Sequence, residues 1–174
     1  MPLTLIKEDG TGLANANSYA NVADGDAYHD AHLYAATWTA AITATKEKAL
    51  VMATRLIDAN YLFHGQAMLS TQALMWPRWG ANDPDMRGGN AFYPDNAIPP
   101  DLVKATCEVA RELILQNRTA DPDGEGLRDV ALVGALRVTF DKTDRRPIIP
   151  RTAQLHLSKL GSFIDRTSGR LIRV

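Results

Sequence analysis

Two histidines spaced three residues apart are the first candidates for chemistry in this sequence. His29 and His32 stand beside Asp26 and Asp30 in a stretch predicted to be helical, where this spacing could present two metal ligands on one face. Zinc would need further ligands fixed elsewhere in the chain, and an isolated pair is a weak signal. We therefore interpret the pair as solvated or interfacial helix surface, and we expect no metal site.

The other reactive residue types also lack the partners that catalysis requires. The stretch from Asp121 begins like a calcium loop, but Leu132 occupies the twelfth position, where a bidentate Glu is needed. Gly10-Thr11-Gly12 lacks the lysine of a phosphate loop. Cys107, the only cysteine, lies in an apolar stretch and is interpreted as a small core residue. The sequence thus predicts no active site, no enzyme activity and no cofactor.

The turn Trp76-Pro77-Arg78-Trp79 differs from these motifs, because two tryptophans around a proline expose apolar surface unless something covers them. We interpret Trp76 as a core side chain between helices. Trp79 borders a stretch rich in Gly and Pro, residues 79–98, which shows no sustained period. Loops of that length are usually functional or mobile, so Trp79 is predicted to contact a partner.

Charge divides the chain near residue 141. Residues 1–141 hold 18 Asp/Glu against 11 Lys/Arg, a formal −7, whereas residues 142–174 hold 8 Lys/Arg against 2 Asp/Glu, a formal +6. An acidic body argues against a general nucleic-acid coat protein, which needs a broad basic face. The basic end mixes cations with apolar side chains and is predicted to lie on another chain. The residues assigned to this docking arm are Arg166, Arg170, Leu171, Ile172, Arg173 and Val174.

Length and hydropathy indicate one domain with an arm. A chain of 174 residues with 45% hydrophobic residues can form a core. The N-terminus lacks a secretory signal, and no stretch approaches the roughly 20 apolar residues of a membrane span. We expect a soluble protein that is not secreted, with a helical body over residues 1–150 and a C-terminal helix and basic arm over 151–174.

Hydrophobic spacing predicts the elements that would position these residues. Four helices are expected at about 22–34, 43–61, 99–114 and 152–164. A period of two over 136–140 predicts a strand, with which residues 129–134 could pair. The predicted fold class is mostly α: a small bundle of about four helices, a short β-hairpin or strand element, and an extended C-terminal arm.

Four segments occur in a fixed order: Glu8–Leu13 followed by Ala16–Tyr19, then Ala53–Asp58, then Thr71–Arg78, then Ile98-Pro99 at the start of a helix. In this arrangement the chain resembles, over roughly residues 8–118, a family of tailed-bacteriophage proteins often labelled DnaT-like. That family is similar in size and layout to head-tail connector (adaptor) proteins. The resemblance implies no catalytic residues.

The resemblance also implies a structural role in the virion. Mostly helical subunits would form a ring, expected to hold twelve copies, that lies beneath the portal protein, extends the DNA channel and joins head to tail. The predicted partners are other copies of the chain, the portal protein and a downstream tail or nozzle component, with no membrane. The location would be the head-tail neck, and the host cytoplasm during assembly. Contacts with neighbours are assigned to Trp79, Leu136, Val138 and Phe140.

The acidic body agrees with this connector interpretation. A conduit for DNA must not bind it, and an acidic lumen repels phosphates so that the duplex slides. DNA is therefore expected to pass without specific binding, and the purified protein to bind neither single- nor double-stranded DNA at physiological salt.

The alternative takes the DnaT-like label literally and makes the chain a single-stranded DNA-binding replication protein. Such a protein needs a cationic groove interleaved with exposed aromatic side chains. The candidates for stacking are Trp38, Trp76, Trp79, Phe92 and Tyr93, with Arg78 and Arg87 nearby. The net negative charge of the body around them favours the connector.

Overall fold

The computed structural model describes residues 3–86, 91–120, 129–132, 136–139 and 147–164. Within these residues the chain forms five helices and three two-stranded antiparallel sheets. The helices are α1 (Val22–Asp30), α2 (Ala36–Thr39), α3 (Thr43–Asn60), α4 (Pro100–Leu115) and α5 (Arg151–Leu157). The strands are β1 (Tyr61–Phe63), β2 (Gln66–Ala67), β3 (Arg78–Trp79), β4 (Asp129–Leu132), β5 (Leu136–Thr139) and β6 (Gly161–Phe163).

The two long helices, α3 and α4, pack against each other and contribute much of the hydrophobic core. Each presents an apolar stripe at helical spacing. The fully buried members of these stripes are Leu50, Ala53 and Ile57 on α3 and Leu102, Ala105 and Val109 on α4. Both helices lie where the sequence predicted them. Ile42, with no side-chain hydrogen bond, occupies the N-cap of α3.

The first predicted helix is shorter than expected. A capping box begins α1, because Asn21 accepts a hydrogen bond from the Asp24 amide and Asp24 accepts one from the Asn21 amide. The helix ends at Asp30 rather than near residue 34, and the chain turns into α2. This turn buries Trp38 completely against Gly25 of α1, and its indole N–H donates to the Asp26 carboxylate.

The last predicted helix is also shorter. Helix α5 ends at Leu157 and packs against α4 through Ala153 and Leu157. Residues 161–163, expected to be helical, instead form β6, which pairs with β1. A glycine favours this pairing, because a side chain at Gly161 would overlap the backbone of Leu62.

The predicted strand element is confirmed as the pair β4 and β5, with Val130 opposite Val138 and Leu132 opposite Leu136. The fold class is confirmed only coarsely: the described residues form a small mixed domain that combines helices with short antiparallel strand pairs. Five helices are present in the described residues, where about four were expected. Most of the predicted C-terminal arm, residues 165–174, lies outside them. In the part of the chain that the structure describes, no helix is long and apolar enough to cross a membrane.

Candidate functional site

Trp76 anchors the Trp-Pro-Arg-Trp turn in the core. Its side chain is completely buried, and its ring meets those of Phe63 and Tyr93 edge to face, at centroid distances of 6.1 and 6.0 Å. The Trp76–Pro77 peptide bond is cis. The prediction that Trp76 is a core side chain is confirmed.

A partly buried carboxylate holds the backbone that leads into this turn. Asp58, near the end of α3, accepts hydrogen bonds from the Tyr19 hydroxyl (2.6 Å) and from the Met75 amide (3.2 Å). The Tyr19 oxygen in turn accepts one from the Trp76 amide (3.3 Å). Burial raises the pKa of Asp58 to about 6, against the lowering effect of these two donors. Helix α3 and the turn are therefore joined by one polar network.

The Arg78 side chain donates hydrogen bonds to backbone carbonyl groups of two separate chain segments. Its Nε donates to the His64 oxygen (2.6 Å), and Nη1 donates to the Met75 oxygen (3.0 Å). Nη2 donates to the oxygens of Gly65 (2.6 Å) and Phe63 (3.4 Å). All three nitrogens of the guanidinium are thus engaged by the segment between β1 and β2 and by the turn before β3.

The next residue, Trp79, is exposed. Its side chain retains 62% of its accessible surface, and its backbone pairs with Gln66 in the β2–β3 hairpin. Phe92 retains 56% and lies opposite Asn82 in an antiparallel bridge. Two large aromatic side chains therefore face solvent on one stretch of chain.

This stretch is more ordered than the predicted loop 79–98. The Tyr93 amide donates to the Ala81 oxygen (2.8 Å), and the Asp83 amide donates to the Ala91 oxygen (2.9 Å). The chain therefore folds back on itself, so that residues 81–83 run beside residues 91–93. Arg87 lies outside the described residues.

The structure separates the five aromatic residues considered for base stacking. Trp38, Trp76 and Tyr93 are buried and cannot offer a ring face to a ligand. Trp79 and Phe92 remain. Exposed apolar side chains accompany them along residues 62–92, and we call this set the hairpin surface. Its members are Leu62, Met68, Leu69, Met75, Trp79, Met86 and Phe92.

Five of the seven members of the hairpin surface, all but Met86 and Phe92, lie in a stretch of the body that has no acidic residue. Between Asp58 and Asp83 the sequence has 24 residues without a single carboxylate, and Arg78 is the only Lys or Arg among them. The acidity of the body is therefore not spread evenly over it. A negatively charged ligand would meet no carboxylate carried by this stretch.

Several acidic side chains elsewhere in the body make contacts within the protein. The buried Glu8 carboxylate accepts hydrogen bonds from the amides of Gly10, Gly12 and Leu13 at 2.9–3.1 Å. This network explains the Glu8–Leu13 segment as a folded turn.

Ion pairs involve other acids of the helical body. The pairs are Lys7–Asp24 and Lys46–Asp26, both at 2.7 Å, and Arg111–Glu108 at 3.0 Å. These paired charges are already balanced in the formal −7, which is therefore set by the remaining acids of the body.

The predicted surface position of the histidine pair is wrong for His29, whereas His32 is partly exposed. His29 is buried against the ring of Trp38, at a centroid distance of 4.9 Å, and its Nε2 lies 3.2 Å from the Cys107 oxygen. Burial lowers the pKa of His29. His32 contacts Glu108 (3.6 Å) and Arg111 instead. Among the described residues, no three His, Cys, Asp or Glu side chains are grouped so that they could hold a metal ion.

Residues 3–173 match the model of a protein family described as "Putative DnaT-like ssDNA binding protein". The chain belongs to this family. No curated protein matches the chain, and no solved structure does.

Membership of the DnaT-like family overturns the connector interpretation. The head-tail role, the ring beneath a portal, the tail partners and the passage of DNA without binding are wrong, because the family is described by single-stranded DNA binding. The net negative charge had favoured the connector because it was taken to be spread evenly over the body. The literal reading of the DnaT-like label, which ranked second, is the one that the match supports.

The residues that were assigned contacts in the connector differ in what the structure shows of them. The arm residues Arg166, Arg170, Leu171, Ile172, Arg173 and Val174 lie outside the described residues, and their assignment to a portal loses its basis. Leu136 and Val138 lie in β5, which pairs with β4 of the same chain, and Phe140 lies outside the described residues. A neighbour contact at these positions stays a prediction, as does the location in a virion.

Sequence reasoning missed the strands that present Trp79. The segment Tyr61-Leu62-Phe63-His64-Gly65 carried a signal, since three strand-forming residues precede a glycine. Burial alternates there as expected for a strand, with Leu62 exposed between two buried aromatic residues. The role of Asp58 had no local signal, because its partners Tyr19 and Met75 are distant in sequence.

Proposed function

We propose that this protein binds single-stranded DNA without catalysing a reaction, and that bases stack on Trp79 and Phe92 of the hairpin surface. The observation that carries the proposal is the exposed ring of Trp79 on a segment of 24 residues, 59–82, that lacks any carboxylate, with the exposed ring of Phe92 beyond it. Membership of the DnaT-like family supports the same ligand.

Base stacking suits a single strand better than a duplex. In a duplex each base already stacks on its neighbours, so an exposed protein ring has no free base face to contact. An unpaired strand offers such faces at every position, and stacking is worth about 1–3 kcal/mol per base. Because every base has a π-face, the proposed contact is tolerant of sequence.

The phosphates require cations from another part of the chain. Arg78 is the only Lys or Arg in residues 59–82, and its guanidinium is engaged by four carbonyl groups. The richest supply in the sequence is residues 142–174, with a formal +6. We propose that bases contact the hairpin surface while this basic segment supplies most of the electrostatic attraction.

Substitution of Trp79 tests the proposal directly. Fluorescence anisotropy with a labelled oligothymidine would compare the wild type with Trp79→Ala, Trp79→Phe and a matched control, Tyr34→Ala. Tyr34 is an equally accessible aromatic residue, 75% exposed, in the segment between α1 and α2. We expect Trp79→Ala to lose about 5- to 100-fold in affinity, which corresponds to one stacked base. Trp79→Phe should keep most of the affinity.

Three outcomes would count against the proposal. Equal affinity of Trp79→Ala and the wild type would remove the hairpin surface from DNA binding. A duplex of the same length that bound as tightly as the single strand would argue against stacking as the mode of contact. Loss of affinity in Tyr34→Ala as large as in Trp79→Ala would move the site toward the other end of α3.

A further inference from the structure

Arg78 and Trp79 are consecutive residues of β3, so their side chains leave opposite faces of the strand. Trp79 projects into solvent. The Arg78 guanidinium turns toward the backbone of its own domain, where it donates to four carbonyl oxygens. The only arginine among the described residues of the stretch 62–92 is thus directed away from the exposed ring beside it.

The donors of Arg78 are almost fully used. A guanidinium has five N–H groups, and four hydrogen bonds to carbonyl oxygens leave one of them. A bidentate contact with a phosphate needs two parallel N–H groups. Such a contact would therefore require Arg78 to release at least one of the carbonyls that it holds.

These four carbonyls belong to the two segments that flank β3. One segment runs from the end of β1 into β2, the partner strand of β3, and supplies the carbonyls of Phe63, His64 and Gly65. The other supplies the carbonyl of Met75, which precedes the turn into β3. The packing here is tight, since a side chain at Gly65 would overlap the carbonyl oxygen of Trp79. One guanidinium therefore ties the strand that carries Trp79 to the residues just before β2 and to the residue before the turn.

On the basis of the proposed function, we infer that Arg78 is a positioning residue for single-stranded DNA binding. It fixes the hairpin that presents Trp79 and does not contact phosphate. Arg78, which adjoins Trp79 in the sequence and which a sequence reading assigns to the DNA backbone, acts through the protein backbone. Its contribution to affinity is then independent of salt.

Arg78→Lys in the full-length protein tests this inference. Lysine keeps the positive charge, but a single ammonium with three donors cannot reproduce four hydrogen bonds from a planar fork. We expect affinity for oligothymidine to fall at least about fivefold, the lower end of one stacking contact. The slope of log K against log salt should not change. Acrylamide quenching of tryptophan fluorescence in the DNA-free protein should change, because Trp38 and Trp76 are buried and Trp79 dominates that signal.

Gly65→Ala provides a second variant with no change of charge. Gly65 has a φ of +72°, and an added Cβ would overlap the backbone of Trp79 and of the residues just after it, so this substitution disturbs the same hairpin from the segment before β2. We expect the same pattern: weaker binding, an unchanged salt slope and altered quenching of Trp79. Thermal melting would show whether both variants are folded. If Arg78→Lys is unfolded, the result for Gly65→Ala tests whether the hairpin positions Trp79.

Opposite results would overturn the inference. If Arg78→Lys binds like the wild type while Arg78→Met loses affinity and about 0.7 of the salt slope, Arg78 contacts a phosphate. If a folded Gly65→Ala keeps wild-type affinity and quenching, the hairpin does not position Trp79. Failure of the proposed function would give a different result, namely unchanged DNA affinity in Trp79→Ala. In that case, tryptophan quenching in the DNA-free variants would still show whether Arg78 fixes the position of Trp79.

Discussion

Asp58 shows how much one side chain can organise in this protein. Its carboxylate joins α3 to Tyr19 and to the backbone of Met75. The cost of this position is electrostatic, since burial raises the pKa of the group to about 6. At neutral pH the folded protein carries a partly buried negative charge.

The raised pKa predicts how stability depends on pH. The folded state holds the Asp58 proton up to about pH 6, whereas an unfolded Asp releases it near 3.8. The free energy of unfolding should therefore fall as pH rises from about 4 to 6, by up to about 3 kcal/mol for a difference of two pKa units. Asp58→Asn cannot ionise and should lose this fall. Urea denaturation across the window would measure both curves.

A second group titrates nearby and must be separated from Asp58. Burial lowers the pKa of His29, so its contribution is present above about pH 6.5 and is lost as pH falls through the folded-state pKa. This effect has the opposite sign, and the difference between wild type and Asp58→Asn isolates Asp58. Asp30→Asn, an exposed acid on α1, is the control. Parallel curves for wild type and Asp58→Asn would contradict the assignment.

Cys107 gives a simpler prediction at the same scale. Its thiol is completely buried in α4, and burial raises its pKa to about 12, so thiolate is scarce at pH 7–8. We expect no reaction with a water-soluble disulfide reagent in the folded protein, and full reaction in denaturant. Rapid labelling of the native protein would show that α4 opens locally.

At the scale of elements, the fit of α1 to α2 depends on one glycine. A Cβ at Gly25 would overlap the buried ring of Trp38. Glycine in a helix usually costs about 0.5–1 kcal/mol relative to alanine, so propensity alone predicts that Gly25→Ala stabilises the protein. We expect the reverse, a loss of about 1–3 kcal/mol, because the core would be overpacked.

Chemical denaturation would measure this change in the free energy of unfolding. Ala27→Gly, at an exposed position of the same helix, is the matched control and should lose only the propensity term of about 1 kcal/mol. A stabilised Gly25→Ala would mean that α2 can shift away from α1 at little cost.

The elements also show what local pattern can and cannot predict. Helices α3 and α4 are long enough to repeat an apolar stripe over several turns, and both were predicted close to their observed bounds. Strands of two or three residues have no period to detect. The pairing of β1 with β6 joins Tyr61 to Phe163, and no local signal reports a partner a hundred residues away.

The candidate site was predictable in part for the same reason. Its exposed aromatic residues stood among the five considered, because residue type alone suggested stacking. Which of the five are exposed depends on the strand register and on the long-range contacts of Trp76, and neither can be read from the sequence. Arg78 shows the limit most clearly, since an arginine beside a tryptophan looks like a phosphate contact until its carbonyl partners are known.

At the scale of the whole molecule, the division of charge matters more than its sum. Asp/Glu exceed Lys/Arg by 7 in residues 1–141, and 5 of the 18 acids there lie in residues 121–141, away from the hairpin surface in sequence. Residues 142–174 carry the opposite charge, +6. A single strand of DNA can therefore be attracted by one part of the chain and stacked upon by another, whereas the formal −1 of the whole predicts neither.

This division predicts that salt dependence and stacking can be changed separately. Replacing Arg166, Arg170 and Arg173 by Gln in the full-length chain removes three cations from the basic segment. If each neutralises a phosphate, the slope of log K against log salt should fall in magnitude by about 2, since a single strand contributes roughly 0.7 per contact. Trp79→Ala should instead lower the affinity by a similar factor at every salt concentration.

The matched control is Lys48→Gln with Arg55→Gln, two exposed cations on α3. Their removal should leave the slope unchanged, because they belong to the acidic body and not to the basic segment. An unchanged slope in the triple variant would show that residues 166–173 make no phosphate contact. A fall in the control as large as in the triple variant would show that DNA responds only to net charge, and the separation of attraction from stacking would then be wrong.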